Sequence, residues 1–229
     1  MADRKKLIPV PRLLAVAALA GALAGAVAVY VSATLSGNNA PPSAAGAVVN
    51  ADANSKLCAA KADRAKTVAA AATGEVAAML PADPPQSLKT LAFNAPDGNA
   101  MTVADRAGKT LLVNLWATWC APCRAEMPAL DALQKELGSE KFEVVAVNVD
   151  TGDDAKRKKF LADTGVEALG YYRDNTMATF EELKMRGLAL GLPVTLLVDG
   201  EGCLLAHMNG PAEWSSDDAR KLIGVAIGG

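Results

Sequence analysis

The chain has 229 residues, four cysteines and a net charge of −2, which leaves room for one good core with an appendage or for two small domains. Arg4, Lys5, Lys6 and Arg12 against Asp3 give residues 1–12 a charge of +3, so the remainder carries −5. A mildly acidic body lacks the basic face that neutralises phosphates, and nucleic-acid binding is set aside.

Residues 1–12 read as a basic cytoplasmic tail. Leu13 to Leu35 follows, 23 residues without a charge, long enough as a helix to span roughly 34 Å and so a bilayer's hydrocarbon core. Tyr30 sits near its far end, and the preceding cations keep the N-terminus inside. The length favours an uncleaved anchor over a signal peptide cut after Ala28 or Ala33. Either way, the body is expected outside the cytoplasm. Residues 36–49, which include "SGNNAPPSAAG", form a Gly/Pro/Ser-rich tether. Residues 50–80 are alanine-rich and predict a helical extension, capped at Asn54 or Ser55 and ended by Pro81. Its apolar face is thin, so it needs a body to dock on.

Residues 81–229 form the main domain, with strands and helices alternating from about Ser87. Leu111–Ala117 is a nearly continuous apolar run, suited to a strand buried on both faces. A helix is expected over Ala121–Leu137 with a kink at Pro128, then a buried strand over Phe142–Val149. Asp153–Thr164 reads as a charged helix, Tyr171–Arg173 as a short strand, and Asn175 as the cap of a helix to Met185. Val194–Val198 and Cys203–Met208 flank "DGEG", a hairpin signal. Ser215 or Ser216 opens a last helix with acidic residues in its first turn. The pattern is that of an α/β sandwich with a mixed sheet.

"WATWCAPCRAEMP" holds the close cysteine pair, Cys120 and Cys123. Structural zinc sites usually use two close pairs, but Cys58 lies 62 residues before this one and Cys203 lies 80 after it. No metal site is expected. A purely structural disulfide would close too small a ring to gain much chain entropy. Redox chemistry has a physical basis. Cys120 follows a buried strand and opens a helix, where free N–H groups and the helix dipole favour the thiolate. Cys123, one turn further in, is placed to resolve a mixed disulfide. Ala121 and Pro122 lie between them, and Pro122 in the first turn loses no needed N–H.

"LLVNLWATWCAPCRAEMPAL", followed about 60 residues later by "GLPVTLLVDGEG", resembles the thioredoxin superfamily. More narrowly it is similar to the membrane-anchored TlpA-like branch, which includes the extracytoplasmic reductases of cytochrome maturation. The resemblance implies a thioredoxin fold with one inserted αβ unit, a cis Leu192–Pro193 bond, and a thiol:disulfide reductase with no cofactor. It further implies a bacterial inner-membrane protein whose C-terminal domain lies in the periplasm. The implied clients carry CxxC-type thiols: apocytochrome c, or copper-site and copper-delivery proteins of cytochrome oxidase assembly. Electrons would come from a membrane thiol donor. Trp119, Leu192 and Pro193 would form the surface on which an extended client pairs.

One departure stands out. Thioredoxins place a buried aspartate six residues before the first cysteine, and here that position is Asn114, which cannot titrate. Glu126, on the Cys123 face of the helix, is the candidate proton acceptor; the related cytochrome-maturation reductases also carry a glutamate there. A solvated Glu126 paired with Arg124 or Lys135 is the alternative. With Cys120–Cys123 assigned, the remaining pair is Cys58–Cys203, expected as a structural disulfide tying the extension to the core; two buried, unpaired thiols are the alternative. The Ala121-Pro122 dipeptide adds no positive charge and so favours a reductant. The rival readings are a disulfide-forming oxidase, a copper-binding module using His207, a holdase and a peroxidase.

Overall fold

The computed structural model describes residues 53–228. The expected tail, anchor and tether lie outside them. No helix among the described residues is long and apolar enough to cross a membrane.

Among the described residues, eight strands form one mixed sheet. They are β1 (Leu80–Pro81), β2 (Ala92–Asn94), β3 (Ala100–Thr102), β4 (Thr110–Trp116), β5 (Phe142–Asn148), β6 (Tyr172–Arg173), β7 (Val194–Val198) and β8 (Leu204–Asn209). Their spatial order is β1-β8-β7-β4-β5-β6-β2-β3. All seven residues of β4 are buried, as its largely apolar sequence, interrupted by Asn114, requires of a central strand. It runs parallel to β5 and antiparallel to β7. After a first helical stretch over residues 53–59, the α-helices are α1 (Ala62–Ala70), α2 (Ala121–Leu137), α3 (Ala155–Asp163), α4 (Ala178–Met185) and α5 (Asp217–Ile227). Between β5 and β7 lie α3, β6 and α4, two helices around a short strand and so about one αβ unit more than a minimal thioredoxin, as expected from the sequence. This is the thioredoxin-like α/β arrangement, a mixed sheet flanked by helices.

The β7–β8 hairpin shows how the turn is written locally. Asp199 Oδ1 accepts from the Glu201 and Cys203 N–H groups, both at 2.9 Å, and Gly202 has φ +75°, where a side chain is strained. Ser216 caps α5 by accepting from Ala219 N at 3.2 Å, with Asp217 and Asp218 in the first turn.

Three expectations need correction. The alanine-rich extension is not one helix to residue 80. Residues 53–59 are helical, α1 follows, and a 3-10 turn covers Gly74–Val76. Gly74 adopts φ +50° and Thr73 is extended, so the chain turns there, and Leu80–Pro81 pair with β8 as an edge strand. Pro81 therefore begins sheet, and on an edge its missing donor is harmless. Asn175 does not cap α4. Asp174 does that work, accepting from Thr176 N at 2.9 Å and Thr179 N at 2.7 Å, while Asn175 Oδ1 accepts from Arg157. The β2–β3 hairpin escaped the sequence reading altogether. Its signal was "PDGN": Gly98 has φ +91°, and Asp97 accepts from Asn99 N at 2.9 Å.

Candidate active site

The close cysteine pair sits where β4 feeds α2. Cys120 is the N-cap of α2, with extended backbone, and its Sγ accepts from Cys123 N at 3.2 Å. Cys120 and Cys123 are joined as a disulfide. Cys120 keeps 6% of its surface exposed and Cys123 none, so an incoming group reaches the first sulfur and not the second. Reduced, the Cys120 thiolate would face the unpaired N–H groups of the first helical turn, the general setting for a lowered thiol pKa. Pro122 falls in that turn, where helices have no donor to lose. Beyond it the helix continues through Pro128 to Leu137.

Trp119 is 65% exposed beside this pair. The turn that carries it is held from the end of β5 and the loop that follows it. Asp150 accepts from Thr118 N with both carboxylate oxygens at 3.1 Å. Asn148 Nδ2 donates to Asp150 at 3.0 Å. Arg157, fully buried, donates to Asn148 Oδ1 at 3.3 Å and to the Asp150 carbonyl at 3.2 Å. Sequence reasoning missed these three residues. The only hint was polar residues, Asn148 and Asp150, at the end of an apolar strand. A cleft of about 550 Å³ opens between Trp119, Arg124 and this loop, with Lys156 and Phe160 also lining it.

The Leu192–Pro193 bond is cis. Val194 pairs with Leu115 across the sheet, which sets Pro193 at the end of β4 from which the cysteine turn departs. The loop before it is pinned by Asn209, whose Oδ1 accepts from Leu190 N at 2.7 Å and whose Nδ2 donates to the Leu188 carbonyl at 3.1 Å. Gly210 N donates to the Pro193 carbonyl at 2.9 Å.

Glu126 is buried, with 3% of its surface exposed, and it does not pair with Arg124 or Lys135; Lys135 bridges to Asp131 instead. Its carboxylate accepts three bonds: from Asn114 Nδ2 at 2.8 Å, Ala212 N at 3.1 Å and Trp214 Nε1 at 3.0 Å. Burial pushes its pKa from 4.5 up to about 7, against the pull of those three donors. A carboxyl in that range gains and loses a proton at neutral pH, one helical turn from Cys123. Trp214 was not foreseen as part of this site, although a tryptophan in a chain with three, followed directly by a helix cap, was a visible signal.

The other sequence candidates fall elsewhere. Cys58 and Cys203 are bonded to each other and both are fully buried. His207 lies on β8, opposite Leu196 and Leu80, two strands from β4, and burial lowers its pKa. No group of three or more His, Cys, Asp or Glu side chains converges among the described residues.

The comparisons with known proteins agree with this geometry. The Redoxin family model matches residues 84–223. Thioredoxin-like protein YneN of Bacillus subtilis is 45% identical over 82 residues, 35% of this chain and 45% of that protein. Thiol:disulfide interchange protein HelX of Rhodobacter capsulatus is 40% identical over 132 residues, 56% of this chain and 66% of that protein. These alignments span less than two thirds of each relative's length. Among solved structures, one named as a thiol:disulfide interchange protein DsbE of Chlorobium tepidum superposes with a TM-score of 0.53 at 26% identity. It covers 62% of this chain and 96% of the other. With a family match over more than half its length, and a cysteine pair opening a helix behind the central strand, the chain belongs to the Redoxin family.

Proposed function

We propose that the protein is a thiol:disulfide oxidoreductase working as a protein-disulfide reductase. The observation that carries this reading is the Cys120–Cys123 pair at the N-terminus of α2, one sulfur accessible and the other sealed. In the reduced protein the Cys120 thiolate attacks a client disulfide, forming a Cys120–client bond and releasing one client thiolate. Glu126 takes the proton of Cys123. The Cys123 thiolate then attacks Cys120 Sγ, and the client leaves as a dithiol with two electrons, while the enzyme becomes the disulfide. A membrane dithiol donor must return those electrons.

The finer reading is a TlpA-like protein anchored through residues 13–35 in a bacterial inner membrane, with its catalytic domain in the periplasm. It is supported by the 23-residue uncharged stretch, its basic flank and the family resemblance. The same resemblance favours apocytochrome c, or copper-site proteins of cytochrome oxidase assembly, as clients. The exposed Trp119 offers an apolar surface beside the attacked bond, and the cleft behind it adds polar and charged groups such as Arg124 and Lys156.

Trapping tests the core of the proposal. Cys123→Ser should accumulate a mixed disulfide with client that dithiothreitol releases, and Cys120→Ser should accumulate none and lose reductase activity. A Cys120→Ser protein that still protects or processes clients would point to a holdase and overturn the reading.

A further inference from the structure

The buried polar cluster behind the cysteines is unusual in its hydrogen-bond bookkeeping. Every group that touches the Glu126 carboxylate is a donor: Asn114 Nδ2, Ala212 N and Trp214 Nε1. Such a shell suits the ionised form and gives a protonated Glu126 nothing to donate to. Yet burial drives this group toward the protonated form, so an acceptor is needed when the proton arrives. The main-chain N–H and the indole can only donate. The remaining candidate is the other end of the Asn114 amide. Asn114 Oδ1 is buried and lacks a hydrogen-bond partner, a condition rare enough in folded proteins to call for a reason.

The third member of the cluster makes a reversal workable. Asn114 Nδ2 donates to Thr195 Oγ1 at 3.0 Å as well as to Glu126, and the two residues stand directly opposite each other on β4 and β7. A threonine hydroxyl accepts or donates by rotation. If the amide turned end for end, its oxygen would occupy the place of the nitrogen, with two lone pairs for two donors: the Glu126 carboxylic acid and the Thr195 hydroxyl. Either orientation satisfies one end of the amide fully and leaves the other unpaired. The two arrangements are therefore matched in number of bonds, and the proton on Glu126 decides between them.

We propose that Asn114 is a positioning residue for proton transfer: its carboxamide reverses as Glu126 gains or loses its proton, keeping the carboxyl hydrogen-bonded and aimed in both states. An aspartate at this position would place a second negative charge against Glu126, and an aliphatic residue could not follow the proton. The asparagine thus replaces a titrating group with one that adapts to a titrating neighbour. The groups facing Glu126 are Asn114 from β4 and Ala212 and Trp214 from the segment before α5, with Cys123 on its own helix. None of its partners carries a formal charge. The inference rests on Glu126 serving as the proton acceptor.

The test uses the full-length oxidised protein carrying 15N-asparagine and 13C-glutamate, titrated from pH 5 to 9 by NMR. The Asn114 side-chain amide signal, identified by its loss in Asn114→Leu, should shift in step with the Glu126 carboxyl carbon and become independent of pH in Glu126→Gln. In reductase assays, Asn114→Leu should move the acidic limb of the pH–rate profile upward by about one pH unit, because the ionised form loses a charge-assisted bond and the acid only a neutral one. A structural role alone would lower stability and leave that limb in place. If Glu126 titrates while the Asn114 amide stays still, this proposal fails and the assignment of Glu126 as proton acceptor stands. If Glu126 shows no titration between pH 5 and 9, both fail.

Discussion

At the level of single residues, Glu126 decides most of the chemistry. Its carboxyl is held by three donors but buried deeply enough that desolvation prevails and its pKa rises to about 7. As a base it works only when ionised, so resolution by Cys123 should slow as pH falls through about 7. Glu126→Gln should reduce client disulfides roughly 10- to 100-fold more slowly and lose that pH dependence. The effect sits at the low end for general bases because water can also take the thiol proton. Stopped-flow reduction rates across pH check this, and an unchanged rate would remove Glu126 from the mechanism. The same residue sets a stability gradient. Its folded pKa lies above the unfolded value of 4.5, so its stabilising contribution is complete below about pH 4.5 and is lost as pH rises through about 7. Relative to Glu126→Gln, the wild type should lose about 3 kcal/mol between those limits. Urea midpoints of both proteins at pH 4.5 and 8 measure the difference.

Among the elements, the informative one is the alanine-rich extension. Its helical stretches are short, and α1 buries only Ala65 and Val68, too little apolar surface to hold it in place unaided. The Cys58–Cys203 bond supplies the missing tie, its ends 145 positions apart in the chain; Lys61 adds ion pairs to Asp199 and Glu201. In the chain-entropy model a loop of that size is stabilised by about 5 kcal/mol at most. Replacing both cysteines with alanine should cost 2–5 kcal/mol by urea unfolding, a magnitude typical for loss of a native disulfide. Residues 53–72 should become open to proteolysis while disulfide reduction by Cys120 and Cys123 persists. Loss of reductase activity in a folded double variant would show that the two pairs are coupled.

The elements also show what a sequence exposes and what it conceals. Central strands such as β4 and β5 announce themselves because their seven residues are mostly apolar, five of seven in each. The cysteine turn was equally legible, since Cys-x-x-Cys after such a strand has few other uses. The failures occurred where structure rests on single turns and distant partners. α1 stops at Ala70, and extended Thr73 with Gly74 turns the chain, where alanine content alone would have continued a helix to Pro81. Residues 92–102 make two strands of three residues each, too short for alternation to register. The grip of Asp150 on Thr118 and the Trp214 bond to Glu126 join residues 32 and 88 positions apart in the chain. No local pattern encodes them.

Across the whole molecule, the sheet separates two kinds of sulfur chemistry. The Cys120–Cys123 pair stands past the C-terminal end of β4. Val198, at the far end of β7, pairs with Leu111 at the start of β4, so the Cys58–Cys203 bond beyond that hairpin belongs to the opposite edge. One disulfide has a sulfur within reach of solvent, and the other is sealed on both sides. A client can therefore exchange with the first without disturbing the tie that holds the extension. The direction of exchange is the central claim, and the most direct measurement of it is the equilibrium reduction potential of Cys120–Cys123 in the full-length protein. Trp119 fluorescence against defined dithiothreitol or glutathione ratios should report it. A value below about −200 mV, in the range of glutaredoxins and thioredoxin, is the expected result for a reductase; a value near −120 mV would make the protein a disulfide-forming oxidase and contradict the assignment.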